Sequence, residues 1–509
     1  MSERTDAGAR TLATQGGIAF AGNVFGRGLG FAFVAIATRL VTPEEYGVFT
    51  LALSIVLFVE GIASLNIYRA LDHYLPRFFE DNSFGLARSA FFRVTALGSS
   101  SATIAALVVA VLGGYLATVF DAPGLATILP LFALLVPVQT LNRTLLATFN
   151  SLKKMQYRVA VKDLLNPAGR ILAAVVLVST GFGVVGLAGG YLLGVAMAVL
   201  VGFGLLYYEA DWLDGAPRDR MDVWPLLRYS VPLVFAGVIY ALVGQIDYFV
   251  IGYFLGTAPV GRYRVAYLLA ANLLIVLHAF TPVFKPMVAE NISNPDVLGR
   301  RYRLATRWIT ILTLPTAITL ILAPEVYLSV LFTPEYVGAS GATVALAVGY
   351  LINAGVGPEG MVLEGLGRTR LTLLNTIVLL GVNVALDVLL VPRLGILGAG
   401  IGTATALTIA GLLGTVENYL LRSVVPFTGR SLRIWSAAIP TVIGGHVIDS
   451  AVQSDVATGV VLPVGVLVAY LVGLKTLRGF SDEDRHLAEQ LDDRIGVTVF
   501  APLTARNWR

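Results

Sequence analysis

The chain has 509 residues, of which 56% are hydrophobic and only 13% are charged, and its mean hydropathy is +0.78. A soluble domain has about 25% charged and 45–50% apolar residues. The composition therefore excludes a soluble enzyme, a disordered chain and a nucleic-acid-binding protein, and it indicates a chain largely surrounded by lipid. Cysteine is absent, which also excludes disulfides, thiolate metal sites and thiol nucleophiles.

Fourteen membrane-spanning helices are predicted, because a span needs about 20 mainly apolar residues. The charge-free window 171–208 is too long for one span, and the sequence GFGVVG at 181–186 predicts a turn that divides it. The predicted spans, numbered 1 to 14, are 15–41, 48–70, 92–120, 123–149, 159–181, 184–208, 226–254, 260–286, 304–325, 337–363, 369–392, 395–420, 432–450 and 456–475.

The distribution of Lys and Arg predicts the orientation of these spans. One set of loops and tails carries 29 of the 36 cationic residues, and the opposite set carries four. Cytoplasmic loops are enriched in Lys and Arg. We therefore expect a multi-pass protein of the cytoplasmic membrane with both termini in the cytoplasm, and no removed signal peptide.

An internal repeat indicates two related halves. Four landmarks recur at a nearly constant offset of 212 to 214 residues: Tyr115–Phe120 with Tyr327–Phe332, Arg158 with Arg370, Gly186 with Gly398, and Gly47 with Gly261. The offset covers six spans, an even number, so the repeats are parallel and both halves have the same orientation. The prediction is an all-α membrane protein with two six-helix lobes around a central cavity and two further helices.

The predicted organisation has five parts. They are an N-lobe (1–210, spans 1–6), a cytoplasmic linker (211–225), a C-lobe (226–421, spans 7–12), spans 13 and 14 (422–475) and a cytoplasmic tail (476–509). Rocking of two such lobes gives alternating access in many secondary transporters.

Three segments resemble the polysaccharide-biosynthesis and O-antigen flippases of the multidrug/oligosaccharidyl-lipid/polysaccharide exporter superfamily. They are ATRLVTPEEYGVFTLALSIV at 37–56, LFTPEYVGAS at 331–340 and LEGLGRTR at 363–370. The resemblance implies twelve to fourteen helices in two lobes. It also implies non-enzymatic transfer of a lipid-linked oligosaccharide, carried on a polyprenyl phosphate or pyrophosphate, across the membrane. Membrane lipid and the glycosyltransferases of the same pathway are then the expected partners of a monomer that uses no cofactor and binds no nucleic acid.

Three arginines lie inside predicted spans of the N-lobe: Arg27, Arg143 and Arg170. A charge at the bilayer centre costs about 2.5–3.5 kcal/mol on insertion scales, so such residues normally face a cavity or a partner. A guanidinium matches phosphate oxygens. We expect these arginines, with Glu60, to line the substrate cavity. The alternative is structural ion pairing with Glu60 and Asp163. A stripe formed by Gly22, Gly26 and Gly30 predicts close helix packing beside Arg27.

The C-lobe spans carry acids instead, at Asp247, Glu359, Glu364 and Asp387. Asp247 is the candidate ligand for a coupling ion or a partner for Arg262 or Arg264. His278 lies inside span 8 and is a second candidate for ion coupling, with a packing role as its alternative. The four histidines are far apart in the chain, so no metal site is predicted.

Three other functions stay open. A cation-coupled drug exporter of the same superfamily would prefer an acidic, aromatic cavity over an arginine-rich one. A membrane polysaccharide polymerase or ligase would need a long outer loop for catalytic groups, and every predicted outer loop is short. A scaffolding protein would not need arginines inside spans.

Overall fold

A computed structural model describes residues 2–215, 221–452, 454–480 and 484. Within that part, the side chains of residues 2–16, 215, 282 and 283 are left undescribed. The predicted linker at 211–225 is therefore covered in part, and the predicted tail helix after residue 481 lies outside the described residues except for Asp484.

The described residues form helices and connecting turns. The helices are α1 (Ser2–Leu40), α2 (Pro43–Ala63), α3 (Arg69–Glu80), α4 (Phe84–Val119), α5 (Pro123–Phe132), α6 (Leu135–Ser151), α7 (Met155–Val159), α8 (Asn166–Leu177), α9 (Gly183–Glu209), α10 (Trp212–Gly215), α11 (Trp224–Val243), α12 (Ile246–Leu255), α13 (Thr257–Ala271), α14 (Ile275–Glu290), α15 (Pro295–Leu322), α16 (Pro324–Leu331), α17 (Ser340–Val356), α18 (Glu359–Gly365), α19 (Thr369–Leu394), α20 (Ile396–Arg422), α21 (Gly429–Ser436), α22 (Ala438–Ala451) and α23 (Asp455–Thr476). Two π-helical turns, Ala160–Leu165 and Val178–Phe182, interrupt span 5.

Eleven helical stretches within the described residues are long and apolar enough to cross a membrane, or twelve if the bent pair α5 and α6 is one span. One stretch, Met155–Glu209, has 55 residues and contains predicted spans 5 and 6. Gly181 (φ 94°) and Gly183 (φ 49°) form the turn between them, as the GFG sequence predicts. The fold is confirmed as a multi-span all-α membrane fold, whereas the total of fourteen spans stays a prediction.

Predicted span 13 differs from the observed helices. Residues 432–450 fall in the eight-residue α21 and the fourteen-residue α22, which meet at Ala437. Each is shorter than the ~20 residues that a single straight span requires. A hydropathy window averages across such a break, which is why the sequence indicated one helix here.

The chain forms two compact units, Met1–Arg264 and Val265–Arg509. The first unit therefore includes α11 and α12, which belong to the C-lobe in the sequence-based division. Asn66, just after α2, donates a hydrogen bond from Nδ2 to the Leu233 carbonyl of α11 at 3.0 Å. The lobe boundaries and the central cavity between lobes stay predictions.

Two glycines that the repeat pairs, Gly47 and Gly261, lie against each other in the first unit. A Cβ atom built on Gly47 would lie 1.8 Å from the Thr257 carbonyl oxygen. One built on Gly261 would lie 2.6 Å from the Pro43 carbonyl oxygen and 3.3 Å from the Cα of Gly47. The start of α2 and the start of α13 therefore approach backbone to backbone, which only glycine permits at this separation.

Gly47→Ala is expected to destabilise the protein by about 1–3 kcal/mol, because overpacking forces the backbone apart. Gly30→Ala is the matched control, since no atom lies within 4 Å of a Cβ at that helical position. Alanine is up to about 1 kcal/mol more favourable than glycine inside a helix. The apparent melting temperature in detergent should therefore fall for Gly47→Ala and stay level or rise for Gly30→Ala. Equal stability of the two variants would contradict the contact.

Candidate substrate-binding site

The position of Arg27 is set by close packing of α1 on the first π-helical turn. A Cβ on Gly22 would lie 2.3 Å from Val159, and one on Gly26 would lie 2.9 Å from the side chain of Asp163. The predicted glycine packing is therefore confirmed for Gly22 and Gly26 but is wrong for Gly30, which is open in the described part of the chain. Pro167 has no N–H to donate to the carbonyl of Asp163, a loss that favours the π-helical turn at this point.

Arg27 itself is half-buried, and its Nε donates a hydrogen bond to Asn23 Oδ1 at 2.9 Å. The acceptor is a neutral amide on the same helix. Asp163, a predicted partner, instead lies 3.8 Å from the Nζ of Lys162. Within the described residues, Arg27 forms no ion pair with a carboxylate, so its charge is available to an anionic ligand.

Arg170 lies on α8 over an aromatic ring of α9. Its guanidinium carbon is 4.1 Å from the centroid of the Tyr191 ring, a cation–π contact of about 0.5–2 kcal/mol. Tyr191 packs in turn against Phe33, Phe49 and Phe132. The Nε of Arg170 is buried without a hydrogen-bond partner, and no carboxylate of the described residues pairs with the guanidinium. The Tyr191 ring contacts the Arg170 guanidinium but carries no negative charge, so it does not neutralise the arginine.

Glycines bring Tyr191 to Arg170. On α9, a Cβ built on Gly190 would lie 2.4 Å from Ala174, and one on Gly194 would lie 2.2 Å from the backbone nitrogen of Arg170. The sequence signal was a Gly-x-x-x-Gly-x-x-x-Gly stripe at 186, 190 and 194, which favours close helix contact in membranes. Sequence reasoning singled out the stripe on span 1 and missed this one.

Arg143 has a carboxylate partner. Its Nη2 donates to Oε2 of Glu60, and its Nη1 donates to the hydroxyl of Tyr68 at 3.3 Å. The two partners differ in environment, since the side chain of Glu60 is 0% exposed and that of Arg143 is 37% exposed. Arg143 therefore forms an ion pair with Glu60, which was the predicted alternative to a cavity role. It is also partly exposed to a cavity.

That cavity has a volume of about 370 Å³ and lies within the first unit. Its lining includes the polar or charged side chains of Asn66, Tyr68, Arg69, Arg143 and Gln245. Glu60 is behind Arg143, and its second oxygen, Oε1, is buried without a hydrogen-bond partner among the described residues. The charged residues that line this cavity, Arg69 and Arg143, are therefore both cationic.

Asp247, the first candidate for ion coupling, is buried on α12 at 7% exposure. The hydroxyl of Tyr263 donates a hydrogen bond to its Oδ2. Nearby, Nη1 of Arg264 donates to the hydroxyl of Tyr248 at 3.0 Å. Asp247 is therefore part of a tyrosine and arginine network that joins α12 to α13, and its role in ion coupling stays a proposal.

In the second unit, the other coupling candidate has a different setting. His278 is exposed on α14. Asp387 on α19 is fully buried, and Asn383 donates from Nδ2 to Asp387 Oδ1 and to Thr403 Oγ1, both at 3.3 Å. The sequence identified Asp387 as an acid in a span but gave no sign of this enclosure, because Thr403 is on the next helix.

A second cavity, of about 620 Å³, lies within the second unit between α13, α14, α15 and α23. It is largely apolar, and Leu273, Leu312 and Leu467 are among the residues that line it. Across the described residues, no three His, Asp or Glu side chains are grouped as metal ligands.

A profile of the polysaccharide biosynthesis protein family matches residues 36–340. The chain belongs to this family. The resemblance found in the three sequence segments is confirmed.

The relatives of this polysaccharide biosynthesis family member include proteins that are named as a transport protein or a probable flippase. The chain is 26% identical over 311 residues to the succinoglycan biosynthesis transport protein ExoT of Rhizobium meliloti, a match of 61% of this chain and 60% of ExoT. It is 22% identical over 462 residues to the probable low-salt glycan biosynthesis flippase Agl15 of Haloferax volcanii, which covers 89% of this chain and 93% of Agl15. The match to ExoT thus spans about three fifths of that protein.

Solved structures share the fold of this family member. The lipid II flippase MurJ in an inward closed conformation superposes with a TM-score of 0.71 at 14% identity, over 90% of this chain and 98% of MurJ. An inward-facing multidrug resistance transporter of the MATE family gives a TM-score of 0.65 at 15% identity, over 78% and 94% of the two chains. The MurJ-like and MATE-like fold agrees with the superfamily that the sequence resembles.

Proposed function

We propose that this protein is a flippase that moves a lipid-linked oligosaccharide, carried on a polyprenyl phosphate or pyrophosphate, across the cytoplasmic membrane by alternating access. The activity is transport and involves no catalytic residue. Cell-surface polysaccharide or glycan biosynthesis is the pathway, and glycosyltransferases are the partners that supply the substrate to a monomeric transporter.

One observation carries the proposal: Arg27 and Arg170 lie within membrane spans without a carboxylate partner among the described residues. An isolated charge in the bilayer is costly, and such residues mark substrate pathways. A phosphate or diphosphate headgroup offers oxygens that a guanidinium binds in a bidentate manner. Arg143, exposed to the 370 Å³ cavity, adds a third contact to the headgroup, and Glu60 orients it.

The names of the curated relatives bear on the substrate class. The relatives whose names contain "flippase" or "transport" act in succinoglycan and glycan biosynthesis, which supports a lipid-linked sugar as the substrate class.

The direct cellular test is the location of the lipid-linked sugar after deletion of the gene. We expect the sugar to accumulate on the cytoplasmic leaflet and surface polysaccharide to be lost, with both reversed by the wild-type chain. Normal surface polysaccharide in the deletion strain, with no lipid-linked intermediate accumulating, would refute the proposal.

A cation-coupled drug exporter is the second candidate, favoured by the MATE-like fold. Its cavity would need unpaired acids to attract cationic drugs. In the first unit the charged residues that line the 370 Å³ cavity are Arg69 and Arg143, while Glu60 is fully buried. These positive charges favour an anionic substrate. Coupling to an ion through Asp247 or His278 is compatible with either function.

The orientation of the chain is testable because it contains no cysteine. Single cysteines at Glu80 and Asp121, both exposed, are expected to label from opposite sides of the membrane. A membrane-impermeant maleimide should reach Asp121→Cys in intact cells and Glu80→Cys only in inverted vesicles. Labelling of Glu80→Cys in intact cells would contradict the cytoplasmic placement of both termini.

A further inference from the structure

A cluster of cations flanks the contact between α1 and the start of span 5, and sequence reasoning gave it no role. Gly22 meets Val159 and Gly26 meets Asp163, so the contact advances by four residues on both helices. The two helices are therefore parallel and in register here. Arg158 and Lys162 each precede a contact residue on span 5, while Asn23 and Arg27 each follow a contact glycine on α1.

Helical geometry directs these four side chains to the same side of the contact. Successive residues rotate by about 100° around a helix axis. When two parallel helices are in contact, the residue before a contact position on one helix and the residue after a contact position on the other lie on the same side of the contact. In agreement, Lys162 interacts electrostatically with both Arg158 and Arg27. Three cations therefore face one another, with the amide of Asn23 beside Arg27.

The carboxylates nearby are fewer than the cations. Asp163 lies 3.8 Å from Nζ of Lys162, and it also interacts with Arg158. Asp72 of α3 interacts with Arg69 and Arg158 and accepts a hydrogen bond from Asn150 Nδ2 at 3.5 Å. Burial raises the pKa of Asp72, whereas the hydrogen bond from Asn150 and the positive charges of Arg69 and Arg158 lower it. Counting Arg69, four cations share two carboxylates.

Two further observations point to a ligand at this cluster. The Nε of Arg158 is buried without a hydrogen-bond partner among the described residues, and a buried donor that stays unpaired is unfavourable unless a ligand accepts from it. Lys162 belongs to the π-helical turn Ala160–Leu165, and such turns occur frequently at functional sites. The side chain of Lys162 is 39% exposed, so a ligand can reach it.

We propose that Arg27, Arg158 and Lys162 form a binding site for the phosphate or diphosphate of the substrate, occupied before the headgroup reaches Arg170. Phe33 contacts the Tyr191 ring beneath Arg170. Phe33 is six residues beyond Arg27, about 9 Å along α1. This order rests on the proposed flippase function and on the orientation that places the start of span 5 at the cytoplasmic surface.

The test is binding of farnesyl diphosphate to the purified full-length protein in detergent, with farnesol as the uncharged comparison. The double variant Arg158→Gln/Lys162→Met is expected to weaken farnesyl diphosphate binding at least about tenfold, since each charged hydrogen bond that is lost weakens binding by about tenfold or more. Lys162→Arg should bind like the wild type, which shows that a cation at this position suffices. The matched control is Arg77→Gln, which removes an exposed positive charge from α3.

The outcomes separate this site from the function itself. Unchanged binding in the double variant, with binding lost in Arg170→Gln, overturns the site and leaves the flippase function standing. A wild-type protein that binds farnesyl diphosphate no tighter than farnesol overturns both. If inorganic pyrophosphate binds as tightly as farnesyl diphosphate, the site takes soluble phosphates and its place in lipid transport is overturned.

Discussion

Arg170→Gln is expected to reduce transport of the lipid-linked sugar by about 10- to 100-fold while the amount of folded protein in the membrane stays normal. The guanidinium lies over the Tyr191 ring and has no carboxylate partner among the described residues. Its removal therefore leaves no buried anion unpaired, so the fold loses only a cation–π contact. The substrate loses charge-assisted hydrogen bonds of about 1.5–3 kcal/mol, and 1.4 kcal/mol corresponds to a factor of ten.

Complementation of surface polysaccharide, normalised to protein level, measures this effect. Arg170→Lys retains the charge but lacks the planar fork, and we expect an intermediate rate. Arg393→Gln, which removes an exposed arginine of the second unit, is the control for loss of one cation. Wild-type complementation by Arg170→Gln would show that the buried cation is structural.

The second large effect concerns the pair of Glu60 and Arg143, where the two single variants should differ. Arg143→Gln leaves the fully buried Glu60 without its cation and is expected to cost about 3–5 kcal/mol of stability. Glu60→Gln leaves an arginine that is 37% exposed to a cavity, so it should cost much less. The double variant should recover most of the stability lost in Arg143→Gln, because no charge is then left buried.

Apparent melting temperature in detergent gives the stability of each variant, and transport by the double variant decides what Arg143 does. If Arg143 binds the headgroup, the double variant is stable but transports about tenfold more slowly than the wild type. Wild-type transport by a stable double variant would make the pair a purely structural one. Equal destabilisation by the two single variants would contradict the difference in burial.

Hydropathy was sufficient to predict a multi-span all-α protein, because eleven helical stretches of the described residues are long and apolar enough to be recognised alone. The turn between spans 5 and 6 was also predictable, since GFG supplies residues that accept positive φ. Span 13 was not, because the break at Ala437 falls within an apolar stretch. The sequence likewise identified the three arginines from their position inside spans.

The sequence named Glu60 as a candidate partner but could not show which of these arginines it pairs with. Glu60 and Arg143 are 83 residues apart, and their contact depends on the rotation of α2 and α6 about their axes. The Tyr191 ring reaches Arg170 only because glycines let α8 and α9 approach. Nothing in a linear sequence shows that Arg158 and Lys162, near the start of span 5, lie close to Arg27 of α1.

Transport in a purified system is the most direct test that cations of the first unit carry an anionic lipid headgroup. The protein is reconstituted in liposomes with a fluorescent polyprenyl diphosphate-linked sugar, and an impermeant quencher reports how fast the inner leaflet becomes accessible. We expect the wild type to make the whole lipid pool accessible and Arg27→Gln/Arg170→Gln to leave the inner half protected on the same timescale. Equal rates for the double variant and the wild type would contradict the account.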